Sequence, residues 1–204
     1  RKNLLARYKW DSDRFSLHKR ILQPIAANLD FVVIVASAMN PKFQPWFIER
    51  YIILAESCNI PILICISKSD LQIIKNPVLE YYTEQLGIPI VYTSSETGQW
   101  IEELKEKIFW KNVVFVGKSW VGKSSLINTI LQNHVTKTSS VSEKWWQWRH
   151  TTVSLKMHIW DENSYIIDTP WIRSLDFLEF SKEELPWHFS DFSDFMSWCQ
   201  FADC

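Results

Sequence analysis

Between residues 117 and 124 the chain reads GKSWVGKS, two glycines five positions apart followed by a lysine and a serine. That spacing, G-x-x-x-x-G-K-[ST], suits a phosphate: successive main-chain N–H groups wrap a β-phosphate, Lys123 bridges β and γ oxygens, and the Ser124 hydroxyl ligates Mg²⁺. Gly117, Lys118, Ser119, Trp120, Val121, Gly122 and Ser125 complete the candidate contact set. The context sharpens the motif, because NVVFVG (112–117) reads as a buried strand just before it and KSSLINTILQ (123–132) as a helix just after it. Trp120 is the misfit. A chain folding around phosphate needs a positive φ or a bare Cα, which glycine tolerates and an indole does not.

Further segments could complete such a site. ISKSDL (66–71) resembles the N-K-x-D element that reads guanine. Asp70 would accept from the base N1–H and exocyclic amine, a pairing adenine cannot supply, and the Lys68 stem would lie along the base plane. Ser67 stands where Asn is usual; being shorter, it is expected to tether the phosphate loop less well. TSSETG (93–98) resembles the companion S-A-K element, whose amides near Ser94 and Ser95 would hold the guanine O6. IIDTPWI (166–172) resembles the D-x-x-G switch, with Asp168 holding Mg²⁺ through water and the Trp171 amide facing the γ-phosphate. RHTT (149–152) resembles the other switch, where Thr151 or Thr152 completes the magnesium shell. Taken singly, the base-reading segments read better as surface turns. Lying at the ends of successive strands, they read as a set.

The elements that must position these residues are legible as alternating runs. FVVIVAS (31–37), PILICIS (61–67), IPIVYTS (88–94) and NVVFVG (112–117) are continuous apolar runs of buried-strand type. Helical spacing appears in 47–59, 77–87, 101–108 and 123–132, while 153–160 and 165–168 could pair as a hairpin. Strands alternating with helices imply an α/β fold with a mostly parallel sheet covered on both faces. Residues 1–26, basic and irregular, and 178–204, rich in Phe, Ser and acid, read as parts of something else.

Composition narrows the classes. With 204 residues, 47% hydrophobic and 22% charged, the chain is globular, and a formal charge of -1 gives no general pull toward nucleic acid. No apolar run approaches the roughly 18 residues of a membrane span, so no membrane partner is expected. Cys58 and Cys65 lie in apolar segments and read as core thiols; nothing suggests a secreted disulfide framework, which makes the cytoplasm the expected location.

The order of the motifs is unusual, since base recognition (67–70, 93–98) precedes the phosphate loop and switches. A sheet keeps its contacts when chain ends move to surface loops, so permutation preserves such a site. In that order, and in LQPIAANLDFVVIVAS, FIERYIILAE, SKSDL, TSSETG, VFVGKSWVGKSSLIN, SEKWWQWRHTT, YIIDTPWIRSLDF and CQFADC, the chain resembles the RsgA (YjeQ) family of circularly permuted GTPases dependent on the small ribosomal subunit. The resemblance implies a permuted P-loop GTPase domain over 27–177. Residues 1–26 would be the end of an N-terminal OB-type domain with its linker, and 178–204 the start of a truncated C-terminal helical zinc domain. It implies GTP/GDP and Mg²⁺ as ligands, the small subunit and its rRNA as partners, a monomer, and GTP hydrolysis in late maturation of that subunit. Ile172, where other GTPases carry a water-orienting Gln, cannot do that work; the family points instead to His150, alongside Lys123, for catalysis. Cys199 and Cys204 resemble two of its zinc ligands, a partial site that implies Zn²⁺ in the full-length protein. Two other readings stay open: another P-loop NTPase (an ATPase or a small-molecule kinase), and a catalytically dead, nucleotide-independent rRNA-binding pseudo-GTPase.

The chain holds 4 Gly and 12 Trp, and the two together match the glycine expected at an average usage of about 7%. Family patterns place glycine at Trp46, Trp100, Trp110, Trp120, Trp148 and Trp171, and at one or both of Trp145 and Trp146; Trp10, Trp160, Trp187 and Trp198 are less clear. TGA is read as Trp in one variant genetic code and as Gly in another. Glycine codons read with the wrong table would leave this exchange.

Overall fold

The computed structural model describes residues 3–10, 20–135, 155–161 and 164–169. Its elements are β1 (Leu4–Trp10), β2 (Arg20–Ala27), β3 (Phe31–Ser37), α1 (Pro45–Ser57), β4 (Ile62–Ser67), α2 (Pro77–Glu84), β5 (Ile90–Tyr92), α3 (Ile101–Ile108), β6 (Val113–Gly117), α4 (Lys123–Val135), β7 (Lys156–Asp161) and β8 (Ser164–Asp168). The main sheet runs β5-β4-β3-β6-β8-β7. Neighbours from β5 to β8 pair in parallel, and β7 closes the edge antiparallel to β8.

β4 and β6 are buried at every residue and β3 at all but its first, which is why their sequences are unbroken apolar runs rather than alternating ones. One face carries α1 and α2 on a cluster with Ile34, Ile64 and Val116; the other carries α3 and α4 on a cluster with Val33, Cys65 and Phe115. α3 turns Ile101, Leu104 and Ile108 inward, and α4 turns Leu126, Ile127 and Ile130, the spacing of a single helical stripe. Each such aliphatic side chain contributes about 1.5–3 kcal/mol on burial. α2 starts where Asn76 accepts from the Val78 amide at 3.0 Å, with Pro77 in its first turn.

Residues 1–26, which read as irregular, hold most of a two-stranded antiparallel ribbon, β1 with β2. Its charged residues hide the pattern in sequence, while Leu5 and Ala26, with Ile25 packed beside them, carry one end onto the core. The register shifts between Leu5 and Ala6, opposite Pro24, which has no N–H for the ladder. The side chain of Asn3 clamps Leu29, accepting from its amide and donating to its carbonyl at 2.8 Å each, and Tyr165 Oη donates to Ala27 O at 2.7 Å.

Cys65 is fully buried and shares a hydrogen bond with the Thr93 hydroxyl at 3.2 Å. Burial pushes its thiol up to about 12, so it stays protonated and inert. Cys58 is half-buried against the cluster on the opposite face, the one that carries α1 and α2. No helix among the described residues is long and apolar enough to cross a membrane.

Candidate nucleotide site

Because the strands are parallel, the loops after β3, β4, β5, β6 and β8 emerge at one edge of the sheet. The register sets their levels: Ser37 lies opposite Ser67, Val35 opposite Gly117, and Phe115 opposite Asp168. Ligands of open α/β sheets bind outside the carboxyl ends of such strands. The candidate residues that the structure describes gather there.

The phosphate loop begins at Gly117, where a Cβ would lie 2.6 Å from the Val35 carbonyl oxygen, so only glycine lets β6 pack this close to β3. Lys118 and Ser119 follow half-buried, and Val121 is buried at 3% exposure. Gly122 has φ +91 and leads into α4, which starts at Lys123; Ser124 and Ser125 are exposed in its first turn. Lys123 donates to Asp168 Oδ1 at 2.5 Å, both side chains being under a tenth exposed, and the Ser124 hydroxyl donates to Asp168 Oδ2 at 2.9 Å. Lysine and serine from one motif and aspartate from another thus share one carboxylate. Thr169, not singled out from sequence, donates to Phe115 O at 2.7 Å and ties the end of β8 to β6. Its position beside Asp168 was the available signal.

The candidate base-reading loop after β4 leans on the candidate phosphate loop after β6. Ser67 Oγ lies 2.5 Å from Val121 O and 3.2 Å from Ala36 O. The sequence reading expected a poor tether from so short a side chain. The two loops instead approach closely enough for a hydroxyl to span them. Ser67→Ala therefore leaves a buried acceptor unsatisfied, and we expect GDP affinity to fall about tenfold in a fluorescence titration. An unchanged affinity would show that the tether is idle.

Lys68 has φ 57, and its ammonium donates to Trp120 O at 2.7 Å and to Asn40 O. Its Cε lies 3.7 Å from where a Cβ on Gly122 would sit, so the stem runs across the phosphate loop. Desolvation pulls the ammonium below its usual pKa, against the pull of neighbouring Asp70. Asp70 itself is exposed at the loop tip. The Ser69 amide donates to Thr93 O at 3.1 Å, joining this loop to 93–98. There the Ser94 amide donates to Gln99 O at 3.1 Å and the Ser94 hydroxyl accepts from Thr97 N at 3.2 Å, so Ser94 shapes the loop's own turn while Ser95 stays half-buried.

Trp100, Trp110 and Trp120 have φ 55, 57 and 69. The other described non-glycine residues in that region are Asn28, Asn40 and Asn59, which tolerate it, and Lys68. Trp120 is also 72% exposed. The backbone thus asks for glycine at three of the positions singled out from sequence. It makes no such demand at Trp46, which sits in the first turn of α1, or at Trp160, which is 7% exposed and edge-on to Phe109 at 6.1 Å. Trp145, Trp146, Trp148, Trp171, Trp187, Trp198, His150, Thr151, Thr152, Cys199 and Cys204 lie outside the described residues.

Comparison with known proteins converges on one family. The model of the RsgA GTPase family matches residues 1–178. The small ribosomal subunit biogenesis GTPase RsgA of Borreliella burgdorferi (strain ZS7) is 36% identical over 207 residues, covering 100% of this chain and 64% of that protein. The protein of the same name from Thermotoga maritima is 37% identical over 194 residues, covering 92% of the chain and 65% of its own length. The chain therefore spans just under two thirds of these relatives. Among solved structures, YjeQ from Thermotoga maritima superposes with a TM-score of 0.67 at 31% identity, over 100% of this chain and 63% of that one. YloQ, a circularly permuted GTPase, superposes with a TM-score of 0.57 at 24% identity over 97% of the chain and 66% of its own, and that likeness concerns the fold alone. With β4 and β5 ahead of the β6–α4 loop in sequence and their loops at the same edge of the sheet, this chain has the circularly permuted GTPase fold and belongs to the RsgA GTPase family.

Proposed function

We propose that the chain binds GTP and GDP with Mg²⁺, hydrolyses GTP, and acts in late maturation of the small ribosomal subunit, which stimulates the hydrolysis. The observation that carries this reading is the convergence of Lys123 and Ser124 on the Asp168 carboxylate, beside a phosphate loop tethered by Ser67 and Lys68. The names of the relatives, small ribosomal subunit biogenesis GTPases, supply the partner.

The division of labour follows from the residues. Amides of 118–124 take the β-phosphate, and Lys123 turns from Asp168 to the β and γ oxygens, where charge develops as the phosphoryl group leaves. Asp70 reads the guanine edge. The Ser124 hydroxyl and Asp168 carboxylate are hard oxygen donors at the spacing of a hydrogen bond, a donor set suited to Mg²⁺; when bound, that ion neutralises phosphate charge. Thr151 or Thr152 would complete the ligand set for that ion, His150 would orient the attacking water, and Cys199 and Cys204 would supply two of the four ligands of a zinc site in the full-length protein. In the natural chain we read Trp100, Trp110 and Trp120 as glycines.

Titration with GTP, GDP and ATP, followed by turnover with and without purified small subunits, tests the function. GTP preferred over ATP with subunit-stimulated turnover supports it, whereas equal affinity for ATP contradicts it. His150→Ala is expected to lower subunit-stimulated turnover about a hundredfold while leaving GTP affinity nearly intact. Parent-like turnover in that variant would remove the histidine from the mechanism.

A further inference from the structure

A third loop reaches the same edge of the sheet and has no role so far. It comprises residues 38–44, between β3 and α1. β3 lies between β4 and β6, so this loop emerges between the base-reading loop and the phosphate loop. It is held at its root, where Ser37 Oγ donates to Pro41 O at 2.6 Å and the Ala38 amide donates to Ser67 O at 2.9 Å. From there it touches both neighbours. The carbonyl of Asn40, at φ 51, accepts from the same Lys68 ammonium that reaches Trp120 O. Gln44 Oε1 accepts from Lys118 Nζ at 3.0 Å.

Gln44 is the informative residue. It occupies the N-cap of α1 in an extended conformation (φ -136, ψ 98), where a side chain would ordinarily accept from the helix's own first amides. It makes no such bond. Its amide crosses instead to the second residue of the phosphate loop, so the helix forgoes a cap and the loop gains an anchor. A lysine ammonium on a four-carbon stem samples many rotamers when unheld; fixed here, its charge stays beside the main-chain cradle.

We propose that residues 38–44 form a positioning strap for the nucleotide site, with Gln44 holding the phosphate loop through Lys118 while the Asn40 carbonyl holds Lys68. The strap rests on the nucleotide-binding reading for its purpose but not for its mechanics. It requires that Gln44 and Lys118 act as one unit, and that a better helix cap at position 44 be a worse residue for the nucleotide.

The test uses the full chain with Gln44→Ala, Lys118→Ala, the double variant, Gln44→Ser and Gln44→Glu. Without nucleotide, amide hydrogen exchange across residues 117–122 should quicken in each alanine variant and no further in the double. With GDP, release should quicken about three- to tenfold in each single variant, again without addition in the double. Gln44→Ser should raise the thermal midpoint by about 2–4 °C through capping yet still quicken release, because serine cannot reach Lys118. Gln44→Glu, whose carboxylate accepts from the ammonium, should keep release as slow as the parent or slower. Additive effects, or a Gln44→Ser variant with both higher stability and unchanged release, would overturn the strap. A parent chain that holds no GDP would overturn the nucleotide reading, and exchange at 117–122 would still decide the strap.

Discussion

Trp120→Gly is expected to tighten GTP binding by about 5- to 30-fold. The size follows from the backbone at that position, φ +69 in the middle of the phosphate loop. A bulky residue in the left-handed region costs about 1–2 kcal/mol, which glycine does not incur. If that cost makes the cradle geometry a minority state, apparent affinity falls by the fraction populated, and the same 1–2 kcal/mol becomes this range. The indole is 72% exposed and belongs to neither of the two buried core clusters. Isothermal titration of both chains measures the difference. Equal affinities would mean that the loop holds its shape whatever stands at position 120.

Asp168→Ala is expected to destabilise the nucleotide-free chain by about 3–5 kcal/mol, roughly 10 °C in the thermal midpoint. Lys123 and Asp168 are each under a tenth exposed in side chain, and deleting the carboxylate leaves an ammonium buried without it. The Ser124 hydroxyl loses the same carboxylate as an acceptor. Phosphate oxygens can replace that negative charge, so saturating GDP should narrow the gap between variant and parent. Circular dichroism melts with and without GDP read both effects. A variant that melts with the parent in the absence of nucleotide would show the pair to be idle.

The sheet was legible because its central strands are buried on both faces, which writes them as the unbroken runs FVVIVAS, ILICIS and VVFVG. That the 117–124 loop, the 68–70 turn and Asp168 lie at one edge of the sheet was legible because each is a short motif at a strand end. The ribbon β1–β2 was not, since its alternation is diluted by Arg7, Lys9, Arg20 and Gln23 and broken at Pro24. The contact between Ser67 and Val121 was hidden too. It depends on how near β4 brings its loop to Val121, a distance that residue type does not encode. The strap at 38–44 was missed for a related reason: Gln44 is an ordinary polar residue until the β3–β6 pairing brings Lys118 to it. The tryptophans worked the other way. Their positions looked wrong for indoles in sequence, and the backbone at 100, 110 and 120 gave the physical reason.

The central claim is that a main-chain cradle around residue 120 grips the phosphates of a guanine nucleotide, and that the natural residue there is one with no side chain. Peptide sequencing by tandem mass spectrometry, on the protein purified from the cells that make it, tests this most directly across residues 112–135. The account predicts glycine at position 120, giving Ser-Gly-Val-Gly-Lys at the loop. Tryptophan at that position in the natural protein, encoded by TGG, would contradict it.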